Sequence, residues 1–410
     1  MTLKILRLGQ HGDGVARDEL GATVHVPRTL PGEIVEGDRA GDRIPSPRVV
    51  TPVPERVAPP CRHFRRCGAC ALQHASDGFV ADWKAGRVIE ALGRAGIAAR
   101  IAGVATSPPG TRRRAALAGR KTKKGAQVGF HVAGGHEIVE IPDCKVLAPG
   151  IVAALPALER VTRLAAPRGA EVTLHVTQGP EGLDLSIGGA GAMDRDVMEA
   201  LAPLGRDFVR IAWNGEVALQ QVPPAQPMGR ARVVPPPGAF LQATRHGEAA
   251  LVGVVGATLT EATRIVDLFA GCGTFTFPAA ETAPVHAVEG DGDLLAALAE
   301  GARHATGLKP ITTARRDLFR DPLDEGELSD FDAAIIDPPR AGAAAQVAML
   351  ARSDLRTIAF VSCNPATFAR DAATLVSAGW RMGAVRVVDQ FRWSPHIELV
   401  TRFDRESPAR

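Results

Sequence analysis

The chain has no tyrosine at all, and aromatic residues fill only 4% of its 410 positions. Alanine, glycine, arginine and proline are abundant instead, so the shortage reads as a bias of composition and excludes no function. Long apolar runs are missing too. Nothing approaches the ~18 consecutive apolar residues of a membrane-spanning helix, and the opening MTLKILRLGQHGDG holds no apolar segment of signal-peptide length. A cytoplasmic protein without membrane contact is expected. Cysteine is scarce, with six in all. In a reducing compartment these are thiols, ligands or catalysts rather than disulfides. There is no internal repeat, and the net charge of +3 is too small to argue for any partner by itself.

Apolar residues make up 45% of the chain, enough for well-filled cores, and the length calls for two or three domains. Short alternating runs at 3–8, 23–26 and 33–35, separated by Gly-Asp-Gly and Pro-Gly turns, predict a small β-barrel of the oligonucleotide-binding sort over 1–56, shortened at its N-terminus. A proline-rich linker and a helix over 77–95 open a central α+β region, 57–235. A second proline-rich linker at 222–237 closes it. From 236 to 410, apolar strands at 264–269, 284–289, 332–336 and 357–361 alternate with amphipathic helices, which predicts an α/β domain with a mostly parallel sheet. Charge is concentrated rather than plentiful. Arg112, Arg113, Arg114, Arg120, Lys121, Lys123 and Lys124 fall within 13 positions with no acid among them. Such a run is either a solvated hairpin edge or a set of phosphate contacts.

The first α/β strand runs into Ala270-Gly271-Cys272-Gly273-Thr274, a turn whose glycines let the backbone approach a ligand. Glu289 ends the next strand, where an acid can hydrogen-bond ribose hydroxyls. The third glycine of a dinucleotide motif is absent, and Asp-Leu-Phe-Ala-Gly-x-Gly instead resembles the first motif of S-adenosylmethionine-dependent methyltransferases. Asp317 follows the third strand, within reach of an adenine. The fourth strand delivers Asp337-Pro338-Pro339-Arg340 at its carboxyl end, where open sheets bind ligands. Cys363, in Ser362-Cys363-Asn364-Pro365, stands at another strand end. An isolated cysteine is ordinarily a small buried hydrophobe, but one in a polar loop facing a cofactor cleft is a candidate nucleophile. Uracil C5 needs such a group: a thiolate adding at C6 makes C5 enolate-like, and a base must then remove the C5 proton. Glu398 is the base candidate, with His396 competing. Cys61, Cys67, Cys70 and the distant Cys144 form a four-thiol set able to hold an iron-sulfur cluster or a zinc ion. The Cys-x5-Cys-x2-Cys spacing is not that of radical enzymes.

Taken together, the segment 61–74, Gly238-Ala239-Phe240-Leu241-Gln242 and Ser-Cys-Asn-Pro-Ala-Thr-Phe-Ala-Arg-Asp at 362–371 resemble the RNA 5-methyluridine methyltransferases, above all the iron-sulfur bacterial enzymes that act on 23S rRNA. The resemblance spans nearly the whole chain. It implies a Rossmann-like class I methyltransferase domain behind the barrel and the central domain. It makes Cys363 the nucleophile and Glu398 the proton acceptor, and Gln242, Phe269, Glu289, Asp317 and Asp337 contacts of S-adenosyl-L-methionine. It places a [4Fe-4S] cluster on Cys61, Cys67, Cys70 and Cys144. The implied substrate is 23S rRNA, with tRNA the alternative, and a monomer is expected. Two other readings stay open: methylation of an amino group through the Asp337-Pro338-Pro339 loop, and an RNA-binding protein with an inert catalytic domain.

Overall fold

The short runs at the start of the chain cannot each bury a face alone, and in the computed structural model, which describes residues 1–405, they combine. Thr2–Lys4, Ile34–Glu36 and Arg48–Thr51 form one antiparallel sheet, and Arg7–Leu8, Gly14–Arg17 and Thr23–Val26 another. Leu3, Ile5, Val24, Val26, Val35 and Ile44 close a small core of their own. The helix Asp77–Arg94 starts at Ser76, whose hydroxyl accepts from Phe79 N. It buries Val80, Lys84, Val88 and Leu92, a four-residue spacing that lines one helical face.

The central region is built on a seven-stranded sheet in the order Ile138–Glu140, Ala126–His131, Arg114–Lys121, Glu171–Gln178, Leu183–Gly188, Arg210–Trp213 and Glu216–Gln220. One pair, Leu183–Gly188 with Arg210–Trp213, is parallel and the others are antiparallel. The helix Leu155–Ala165 covers this sheet, burying Leu158 and Val161 against Leu117, Val172 and Leu174.

The C-terminal sheet runs Ile311–Arg315, Val285–Glu289, Ile265–Leu268, Ala333–Ile336, Thr357–Ser362, Glu398–Asp404, Val385–Asp389. The first five strands are parallel and Glu398–Asp404 is antiparallel to its neighbours. This is a Rossmann-like arrangement whose order reverses beside Ile265–Leu268, so ligand crevices open at the carboxyl ends of its strands. Two features depart from the sequence reading. The strand Ile101–Thr106, grouped there with the central region, pairs in parallel with Val385–Asp389 and extends this sheet. The helix Asp77–Arg94 follows it, because Val88 and Leu92 need an apolar partner and find one in Leu375 and Trp380. The second linker is also partly structured: Gln226–Met228 and Ala231–Val233 form a hairpin whose Met228 and Val233 pack on Phe277 and Leu298. Among the described residues no helix is long and apolar enough to cross a membrane.

Candidate active site

The strand Ile265–Leu268 is buried along its length, and the chain leaves it through Phe269 at φ 63° and Gly271 at φ 57°. Gly273, at φ 99°, allows the tightest packing of the turn: a Cβ there would stand 2.4 Å from the Phe277 ring. Glu289 braces the turn from the neighbouring strand, accepting from Gly271 N at 2.9 Å through one oxygen and from Asp291 N at 2.9 Å through the other. The Phe269 ring packs 5.3 Å from that of Phe319, two residues beyond the exposed Asp317. Beneath the turn, Asp267 is fully buried. It accepts from the Thr276 hydroxyl at 2.6 Å, while its Oδ1 has no partner among the described residues. Burial, reinforced by the charges of Asp337 and Glu289, pushes its carboxyl up to about 7. Asp337 is half-buried rather than open to the cleft, and burial pushes it up to about 7 as well.

Cys363 and Glu398 come together through strand register. In the antiparallel ladder between Thr357–Ser362 and Glu398–Asp404, Ser362 is opposite Leu399, which makes Cys363 and Glu398 the next opposed residues. Asn364 caps the following helix by accepting from Ala366 N, and its side-chain amide donates to Arg340 O at 3.0 Å. That bond ties the cysteine loop to the Asp337–Arg340 loop. Both Cys363 and Glu398 line a cleft of about 860 Å³, together with Phe240, Phe391, Arg112 and Arg340. Burial pushes the Glu398 carboxyl up to about 8. The charge of Asp337 adds to this, and a Gln390 hydrogen bond and the Arg340 charge oppose it. Burial, then the charges of Glu398 and Asp337, push the Cys363 thiol up to about 12, with Arg340 again opposing. His396 lies in the same cleft but meets cations: burial and then Arg340, whose guanidinium is 3.3 Å from Nδ1, hold it below the usual imidazole range.

The four cysteines are brought to one place. Gly68 N donates to His131 O at 2.8 Å, His63 Nε2 lies 2.8 Å from Asp143 Oδ1, and Cys61 N donates to Gln73 Oε1. These bonds stitch the segment of Cys61, Cys67 and Cys70 to the end of the strand Ala126–His131 and to the loop of Cys144. Burial raises the thiols of Cys67, Cys70 and Cys144, and each is raised further by the charges of its neighbours. Among the described residues no three cysteine, histidine or acidic side chains stand close enough to hold a single ion. Cys67 and Cys70 also line the cleft of Cys363.

Comparison with known proteins resolves what this assembly is. The profile of the tRNA (Uracil-5-)-methyltransferase family matches residues 308–405. Uncharacterised RNA methyltransferases of Rhizobium meliloti and Caulobacter vibrioides are 43% and 44% identical to the chain over 98% of it and 99% of their own lengths. The 23S rRNA (uracil(1939)-C(5))-methyltransferase RlmD of Halomonas elongata is 34% identical over all of this chain and 90% of its own. The chain belongs to the RNA uracil-C5 methyltransferase family. The fold agrees: the crystal structure of the tRNA (uracil-54, C5)-methyltransferase of Pyrococcus abyssi, in complex with S-adenosyl-L-homocysteine, superposes with a TM-score of 0.76 over 98% of this chain and 99% of that one, at 22% identity.

This methyltransferase is S-adenosylmethionine-dependent and acts on C5 of a uracil in RNA. That sets aside the amino-group and binding-only readings. The basic run, by contrast, is not one surface. Arg113 is buried, pairs with Glu248 and donates to Gln242 O at 3.1 Å, and Arg114 stacks its guanidinium 4.3 Å from the Phe240 ring centre. Arg112 lines the cleft of Cys363, while Lys121, Lys123 and Lys124 sit at the far end of the hairpin. The sequence reading also passed over Gln390 and the buried Lys84–Asp389 pair at 2.6 Å. Neither carries a local motif, because each meets its partner across a long stretch of chain, 148 positions for Gln390 with Gln242 and 305 for Lys84 with Asp389.

Proposed function

We propose that this methyltransferase modifies C5 of a uridine in 23S rRNA, with Cys363 as nucleophile and Glu398 as proton acceptor. The observation that carries the reading is the pairing of a thiol and a buried carboxyl at one ladder end, on the floor of a cleft that also holds Phe240, Arg112 and Arg340. A uridine flipped out of its stack can be held there between an aromatic face and cations. Cys363 reacts as thiolate, its proton having passed to solvent: the sulfur forms a bond to C6, and the C5=C6 electrons move toward the carbonyl oxygen at C4. S-adenosylmethionine, when bound, supplies a methyl group on a sulfonium, an electrophile that carbon can take. Gln242, Phe269, Glu289, Asp317 and Asp337 are the residues assigned to hold it. Glu398 as carboxylate then takes the C5 proton, the C5=C6 bond re-forms, and the sulfur leaves as thiolate. A carboxyl raised to about 8 is a strong enough base for this proton and is still partly ionised near neutral pH.

The 23S rRNA assignment rests on full-length similarity to the Halomonas enzyme and on the four-cysteine set. Cys61, Cys67, Cys70 and Cys144 would hold a [4Fe-4S] cluster, which supplies a fixed crosslink between the cysteine segment and the central sheet. A zinc ion is the lesser alternative, because four thiolates suit either group and it is the resemblance to the iron-sulfur enzymes that favours the cluster. The test uses RNA carrying 5-fluorouridine, whose fluorine cannot be removed as a proton. A covalent adduct should map to Cys363 and vanish in Cys363→Ala. An adduct that survives that substitution refutes the nucleophile. Mapping 5-methyluridine in rRNA and tRNA of a deletion strain then decides the substrate, and a loss confined to tRNA overturns the 23S assignment.

A further inference from the structure

The side chain of Gln390 lies between the two halves of the site. It follows the strand Val385–Asp389, in which Val388 is opposite Glu398, so Gln390 and Glu398 project from the same face of the sheet. Gln390 is buried, and its orientation is set from outside the site: Ala243 N, which can only donate, gives its hydrogen to Gln390 Oε1 at 2.7 Å. The amide nitrogen must therefore face the other way. It donates to Gln242 Oε1 at 2.6 Å, and it lies near enough to Glu398 to favour the ionised form of that carboxyl. One –NH₂ group has two hydrogens: Gln242 takes the first, and the second is left for a carboxylate on the same face of the sheet. On one side Gly247 packs directly against it, where a Cβ would stand 2.6 Å from the Gln390 Cβ.

The strand end that carries Gln390 is itself fixed. Lys84 Nζ reaches Asp389 Oδ1 at 2.6 Å and Phe391 O at 3.3 Å, Arg87 donates to Pro395 O at 2.9 Å, and Ala71 N and Leu72 N both donate to Trp393 O. The loop between Gln390 and Glu398 is thus held by the helix and the cysteine segment that precede it in the chain.

We propose that Gln390 is a positioning residue, one amide hydrogen holding the proton acceptor Glu398 and the other holding the cofactor contact Gln242, so that the two halves of the site are set as one unit. This rests on the reading of Glu398 as the proton acceptor. Its consequence is a link between base strength and cofactor binding. The groups that face Glu398 are Asp337, Cys363, Arg340 and, two residues before it, His396. Gln390 is the neutral donor among them, and losing it leaves the carboxylate less supported.

The experiment compares Gln390→Met, which keeps length and volume but has no donor, with Gln390→Glu, which can still accept from Ala243 N but donates nothing and adds a like charge. In single-turnover methylation the acid limb of the pH–rate profile should move up by about one unit in Gln390→Met and further in Gln390→Glu. Affinity for S-adenosylhomocysteine, read by calorimetry, should fall severalfold in both, and the adduct on 5-fluorouridine RNA should still form. A packing role predicts a different order, with the near-isosteric Gln390→Glu tolerated and both profiles unshifted. That outcome, or unchanged S-adenosylhomocysteine affinity in both variants, overturns the proposal. Glu398→Gln serves as the control. If it fails to accumulate an adduct on normal uridine RNA, the reading of Glu398 fails. If it accumulates one while the Gln390 profiles stay put, the inference alone fails.

Discussion

Replacing Glu398 should make the Cys363 thiol more reactive. Cys363 is held as a thiol chiefly by burial and then by the negative charges of Glu398 and Asp337. With the thiol at about 12, roughly one molecule in 10³ carries the thiolate at pH 9. Glu398→Gln removes one of the two like charges, and a single like charge in a partly buried site is worth about one pK unit. Thiolate content at pH 9 then rises about tenfold. A less basic thiolate is also a poorer nucleophile, by about 0.4–0.5 log units per pK unit, so the net gain in alkylation rate is roughly threefold. The sign with pH is fixed by the same geometry. Glu398 has its carboxyl raised to about 8, so below that pH it is mostly protonated and repels nothing. The variant and the parent should therefore alkylate alike near pH 6.5 and separate as pH rises through about 8. The assay is iodoacetamide labelling timed at each pH, with the Cys363 peptide quantified by mass spectrometry. Equal rates at pH 9, or a difference that persists unchanged at pH 6.5, would show that the Glu398 charge does not govern the thiol.

Three further outcomes are expected. Gly273→Ala should abolish the thermal shift given by S-adenosylhomocysteine, because the new methyl meets the Phe277 ring at a φ of 99° that alanine disfavours; a normal shift would show that the turn can relax. Lys84→Met should cost about 3 kcal/mol or more in urea unfolding at pH 8, since it strands the buried Asp389, whose Oδ2 has no other partner among the described residues. Burial already holds the Asp389 carboxyl above its ordinary range. Protonation therefore relieves the stranded charge, and the penalty should shrink as pH falls toward 5.5; a pH-independent loss would point to packing instead. Phe240→Ala should weaken RNA binding by about 1–2 kcal/mol, the worth of one stacked base, while leaving S-adenosylhomocysteine affinity as it was. Equal loss of both affinities would place Phe240 in the cofactor site.

Local chemistry was legible without coordinates. The apolar runs at 264–269 and 332–336 name buried parallel strands because nothing else explains continuous burial bounded by glycine and proline. The glycines at 271 and 273, the acid at 289 and the motif around Cys363 each declare a role within a few positions of themselves. The charge run was legible only as a count. Arg113 and Lys121 look alike in sequence, and one ends in a buried ion pair while the other rides a hairpin end.

By itself, then, the sequence determined the apolar strands, the glycine turn between 270 and 274 and the loop that carries Cys363, all of which are encoded by neighbours in the chain. Tertiary structure alone decided that strand register sets Glu398 opposite Cys363, that the 101–106 strand extends the C-terminal sheet, and that Gln390 bonds to Gln242. Those are pairings between residues 35, 284 and 148 positions apart. They are settled by register and by which apolar face finds a partner, and no short window of sequence contains both members.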